Sequence, residues 1–143
     1  MKWNARFIVA ATSLVLSACT SSISMKAVSL DSFFNDNSSK VWLVDNISIA
    51  GNEVSPINDG YKDVFIFYKS GRIAVQPLNT VGNTPILSGY FFIDSDLKTM
   101  KLEFKKTVWK FKIDELSLKK VVLSPEKSSD FKYGIVLIPL PEF

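Results

Sequence analysis

The chain has no histidine, and one cysteine in 143 residues. Without imidazole it lacks the commonest general base and the commonest metal ligand. A single thiol excludes an intramolecular disulfide and any cysteine-rich metal site. No phosphate loop and no dinucleotide fingerprint is present. Enzyme chemistry would have to run on carboxylates, lysines, hydroxyls or tyrosines, and none of these is arranged for it. Asp94 and Asp96 stand two apart, a spacing that would suit a cation, but they stand in a turn, where aspartate is favoured anyway. Asp114 and Glu115 are adjacent and so point to opposite faces of a strand. Ser70-Gly71 and Ser88-Gly89 have no base nearby in the chain. The chain reads as no enzyme, with no metal and no cofactor.

Charge excess is lacking too. The formal charge is +3, from 17 basic and 14 acidic residues. Lys2 and Arg6 fall in a segment argued below to be removed, so 15 basic residues face 14 acidic ones in the mature chain. That balance leaves no electrostatic footprint for a nucleic acid. Lys105, Lys106, Lys110 and Lys112 do cluster, but Glu103, Asp114 and Glu115 interleave with them, as on a solvated face.

What the chain has in quantity is apolar and aromatic residues. The hydrophobic fraction is 47%, with eleven Phe, four Tyr and three Trp, a set that suits strands better than helices. One domain fits this length, with a core that needs no staples.

The first residues have their own logic. Lys2 and Arg6 precede a ten-residue run, Phe7 to Leu16, that is predominantly apolar. Positive charge followed by a short apolar stretch is the order of a secretory signal. Ten residues are too few to span a bilayer core of about 30 Å. Leu16-Ser17-Ala18-Cys19 comes next and resembles the bacterial lipobox. That resemblance implies cleavage after Ala18 and acyl chains, palmitate among them, on Cys19. Small residues at 17 and 18 fit the peptidase, and the thiol is the nucleophile that takes the lipid. Each buried methylene contributes about 0.8 kcal/mol, so several chains anchor durably. By resemblance to enterobacterial sorting rules, Thr20 in place of an aspartate implies the outer membrane over retention at the inner one. The expected division is a signal at 1–18, a lipidated N-terminus and polar tether at 19–27, and a folded domain at 28–143.

Within that domain, Ser29 to Phe34 reads as one or two helical turns. Ser29 suits the cap, and Leu30, Phe33 and Phe34 share a face. From Lys40 on, short strands alternate with turn signals. Strands are expected at Val41 to Ala50, Asp63 to Lys69, Arg72 to Leu78, Ser88 to Ile93, a pair around Met100 to Lys105 and Trp109 to Asp114, Leu116 to Leu123, and Lys132 to Ile138. The alternation in the first slips near Asp45-Asn46, where a bulge is the simplest repair. In the central pair, Met100, Leu102 and Phe104 alternate with lysines and a glutamate, then Trp109, Phe111 and Ile113 do the same; this is the clearest hairpin. The fold class expected is all-β: a small antiparallel eight-stranded barrel, or a sandwich, with a short N-terminal helix.

Lys40-Val41-Trp42, the Asn46 to Val54 stretch with its Gly51 turn, and Phe65 to Arg72 are similar to the bacterial lipocalin-like lipoproteins. Gly89-Tyr90-Phe91, Lys101 to Phe104 and Ile113 to Leu116 match later beats of that pattern. The likeness covers about residues 40 to 124. Lys40 departs from it, standing where lipocalin-type domains carry glycine. The resemblance implies a calycin-type barrel at a membrane and no particular activity.

Two kinds of function fit. One is the binding of a small apolar ligand inside the barrel, with Trp42, Phe104, Trp109 and Phe111 as interior candidates, although alternating aromatics are more often plain core. The other is an envelope protein-interaction, structural or inhibitor/immunity-type role through the outer surface. Val64 to Tyr68, Tyr90 to Ile93 and Ile135 to Ile138 are apolar on both faces and need cover. The partners expected are the membrane, through Cys19, and either a small apolar ligand or an envelope protein.

Overall fold

A computed structural model describes residues 30–56 and 58–141. The signal, the Leu16-Ser17-Ala18-Cys19 site, the tether and the Ser29 cap lie outside the described residues. Leu30–Asn35 forms the helix α1. It stops where Asp36 and Asn37 turn left-handed, at φ 53° and 59°, and the Asn35 side chain accepts a hydrogen bond from the Asn37 amide. Asparagine and aspartate tolerate that backbone better than most residues.

Nine strands follow: β1 (Ser39–Ile49), β2 (Asn52–Glu53), β3 (Asp63–Tyr68), β4 (Arg72–Pro77), β5 (Leu87–Asp94), β6 (Thr99–Phe104), β7 (Val108–Leu116), β8 (Val121–Pro125) and β9 (Gly134–Pro139). β2 is a two-residue hairpin arm on the end of β1. The other eight pair with their neighbours in chain order, all antiparallel, and β9 pairs back onto β1. The sheet closes into an eight-stranded up-and-down barrel, which leaves no free edge along its wall.

The bulge falls where the sequence slips. Register between β1 and β9 shifts between Val44 and Asn46, so the inward phase passes from Trp42 and Val44 to Ile47. A second shift, between Ile113 and Glu115, bends β7. The expected strand from Leu116 to Leu123 is corrected: β7 runs on to Leu116, residues 117–120 turn, and β8 starts at Val121. Leu116-Ser117-Leu118 alternates like a strand. Ser117 breaks it, its hydroxyl accepting from the amides of Lys119 and Lys120 and donating to the Lys120 carbonyl.

Because the strands alternate in direction, the connections fall at two ends. At the lower end are α1, the start of β1, and the tight turns 69–71, 95–98 and 117–120. At the upper end are the longer loops 50–62, 78–86 and 126–133 and the short turn 105–107.

Candidate functional site

The interior is the first place to look, and the chain's own side chains occupy it. Trp42, Phe65, Phe67, Ile73, Met100, Leu102, Phe111, Val121, Leu123, Ile135 and Leu137 are buried in one continuous cluster. Each sits on the inward phase of its strand, the period-2 arrangement that a barrel wall requires.

Both ends of this core are stoppered by aromatic rings. At the lower end Phe34 of α1 is fully buried, 5.7 Å from the Trp42 ring and 5.1 Å from Phe67. The Trp42 indole donates a hydrogen bond to the Phe34 carbonyl at 3.0 Å, so helix and barrel share a buried polar contact. The Lys40 ammonium lies 4.3 Å from the Trp42 ring centroid and 5.6 Å from Phe33. The Lys40 side chain thus lays a cation over the tryptophan. At the upper end Trp109 stacks against Phe131 at 4.4 Å and meets Phe104 edge-on at 4.9 Å. Phe131 also contacts Phe111 and Tyr133.

Of the four interior candidates, Phe104, Trp109 and Phe111 therefore gather at the upper end, with Phe131 between the last two. Trp42 belongs to the lower cluster, and Phe67, Phe65 and Trp109 connect the two groups ring by ring. Phe131, which sequence reading left unassigned, comes from a loop. Its loop is held by Val108 donating to the Asp130 carboxylate at 2.7 Å and Lys110 donating to the buried Ser129 hydroxyl at 2.9 Å. The run Ser128-Ser129-Asp130 before an aromatic is the signal that could have found it.

The outer wall is uneven. Leu43 and Val64 lie on the outward phase of β1 and β3, and Gln76 on that of β4, yet all three are buried. Upper-loop segments are tied down beside them. The Ser55 hydroxyl accepts from the Ile47 amide at 2.6 Å, Gln76 Nε2 donates to the Thr80 carbonyl, and Lys62 pairs with Asp45 at 3.5 Å and Asp59 at 3.1 Å. The Lys62 ammonium has its pKa raised, chiefly by its hydrogen bond to Asp59. Half-burial alone pushes the Asp63 carboxyl up.

Elsewhere apolar side chains stand in solvent. Tyr90 and Phe92 project from β5, with the Lys101 ammonium 4.9 Å from the Phe92 ring and 3.0 Å from Glu103. At the upper end Val54, Tyr61, Val81 and Ile86 are exposed on loops 50–62 and 78–86, Tyr61 by 65% and Ile86 by 70%. At the lower end Leu97 and Leu118 are exposed by 73% and 79%. Asp94, a carboxylate at cation spacing from Asp96, is engaged by its own turn, accepting from the amides of Asp96 and Leu97.

No three carboxylate or thiol groups converge among the described residues, and no helix there is long and apolar enough to cross a membrane. Comparison with protein-family models, curated proteins and solved structures gave no match.

Proposed function

We propose that the chain is a lipid-anchored bacterial envelope protein that acts through its outer surface, as an interaction module and not as an enzyme. The observation that carries this reading is the filled and doubly stoppered interior. An eight-stranded barrel is just wide enough to be filled by side chains or to hold one small ligand, and here the side chains take the space. A carrier of an apolar ligand would need Trp109 and Phe131 to swing aside and the core beneath to part, which the close packing of a protein interior resists.

The lipocalin-like pattern of residues 40 to 124 agrees with an up-and-down eight-stranded barrel, so we read the domain as a calycin-type scaffold that has given up its cavity. The lipobox at Leu16 to Cys19 supports anchoring, and Thr20 supports the outer membrane. Exposed apolar side chains on the upper loops, far along the barrel from the anchored end, supply a surface for a partner protein. Loops held by a rigid wall are where binding residues concentrate, and these are tied down by Lys62, Ser55 and Gln76.

Titration of the purified full chain with a fluorescent fatty acid tests this. No saturable binding below about 10 μM is expected, a threshold equivalent to roughly 7 kcal/mol. Stoichiometric binding in the sub-micromolar range would sink the filled-scaffold reading and establish a ligand carrier. On the positive side, a photo-crosslinker placed at Ile86 in living cells is expected to trap one envelope protein of discrete mass, and one at Lys112, exposed on the wall strand β7, is not.

A further inference from the structure

The two most exposed large apolar side chains of the barrel, Leu97 and Leu118, sit at the tips of neighbouring hairpins, β5–β6 and β7–β8. Nothing in the barrel asks for leucine there. A turn tip is normally polar, and an isolated leucine three-quarters in water gains no burial energy from folding. Lysines follow both, Lys98 after Leu97 and Lys119 and Lys120 after Leu118, while Asp94 and Asp96 share the first turn and Lys120 pairs with Glu115 at 3.5 Å. Lys69 stands on the third tight turn of the same end.

That end is also where the anchored chain arrives. α1 begins at Leu30 and leads directly into β1 at the lower rim, where Lys69 donates its amide to the Ser38 carbonyl. Ten residues, 20–29, separate Cys19 from Leu30. The eleven steps from Cys19 to Leu30 reach at most about 40 Å fully extended, at roughly 3.6 Å per residue. A lipidated Cys19 therefore ties the chain to the bilayer through the lower rim, and the choice of which end faces the lipid falls to the side chains of that rim.

We infer that the lower rim rests on the phospholipid surface, with Leu97 and Leu118 dipping into the headgroup boundary and Lys98, Lys119 and Lys120 meeting lipid phosphates. This rests on the lipoprotein reading of Cys19. The leucines supply apolar area and the lysines snorkel, their stems along the lipid and their ammonium groups at the phosphate level. The acyl chains anchor, and the rim sets orientation: the barrel stands on its lower end and presents the upper loops away from the membrane.

The test uses the full chain, processed in a bacterial host and reconstituted in vesicles of phosphatidylethanolamine and phosphatidylglycerol. With Cys19 blocked by its lipid, Leu97→Cys, Leu118→Cys and Ile86→Cys can each be labelled singly with an environment-sensitive fluorophore. Emission at 97 and 118 is expected to shift to the blue and to lose roughly half its intensity to nitroxide-bearing lipids, as suits a group about 5–10 Å into the interface, and emission at 86 is expected to be unchanged. If vesicle-bound, acylated protein shows no quenching at 97 and 118, the rim does not touch the membrane and the inference fails. Quenching at 86 instead would overturn it by reversing the orientation. The mass of the N-terminal peptide reports acylation separately; a Cys19 without acyl chains sinks the anchoring reading, and this inference with it.

Discussion

At position 89 an added Cβ would stand 2.0 Å from the Glu103 carbonyl oxygen and 3.0 Å from a ring carbon of Phe104. Gly89 is on the inward phase of β5, paired with Phe104 of β6, and its missing side chain lets the two strands close where the wall bends. Gly89→Ala is expected to cost about 1–3 kcal/mol in a urea unfolding experiment, the range for overfilled cores. A neutral substitution would mean that the strands are further apart than found. Trp42→Phe keeps an aromatic ring but leaves part of the indole's space empty and loses its hydrogen bond to the Phe34 carbonyl; the unsatisfied buried acceptor alone costs about 1–3 kcal/mol in the same experiment. Titration follows from Asp63. Its carboxyl pKa is raised by half-burial, so the folded state binds the proton more readily than the unfolded one. Stability contributed by this group is therefore lost as pH rises from the ordinary carboxyl value of 3.8 through the raised one. Asp63→Asn is expected to raise the thermal midpoint at neutral pH, with the gain vanishing in acid. A less stable variant at neutral pH would show that the carboxylate has a favourable contact that outweighs its desolvation.

Elements differ in how openly the sequence declares them. The β6–β7 hairpin reads directly because its apolar and charged residues alternate without a break, and its observed register pairs Met100 with Phe111 and Leu102 with Trp109. The bulge in β1 is legible for the same reason, as a change of phase that period 2 does not permit. The 117–120 turn is not, because Leu118 imitates the next inward position although it points into water. The expected strand from Leu116 to Leu123 runs straight through that leucine, and its exposure is what marks it for another role. The α1 helix shows the other limit. Its apolar face is visible in sequence, but not that Phe34 plugs the barrel, since that depends on where the 36–38 turn aims it. Phe34→Ala is expected to cost about 3–5 kcal/mol, the price of a buried aromatic. Amide exchange should then quicken first in α1 and the start of β1. Uniform loss of protection instead would mean that the plug folds as one unit with the whole barrel.

For the whole molecule, an all-β fold of eight antiparallel strands, barrel or sandwich, was readable from strand count, turn spacing and alternation; its closure rests on the pairing of β9 with β1. Whether it held a cavity was not. The same inward aromatics serve a filled core and a lined pocket, and the deciding group, Phe131, lies in a loop outside any alternating run. The division of labour between anchor and rim can be settled by magnitude. Two leucines that bury fully contribute at most about 1.5–3 kcal/mol each. A single myristoyl chain, at about 0.8 kcal/mol per methylene, already exceeds them and still gives only marginal, reversible binding. The rim alone thus cannot hold the protein at a membrane, whereas several acyl chains on Cys19 can. Residues 20–143 secreted behind a signal with an ordinary cleavage site are accordingly expected in the soluble periplasmic fraction, folded, with the thermal midpoint of the anchored form released in detergent. If this chain stays with the membranes through a high-salt wash, the apolar contact is stronger than two leucines can supply. Tyr90 and Phe92 on the outer wall would then be the next side chains to replace.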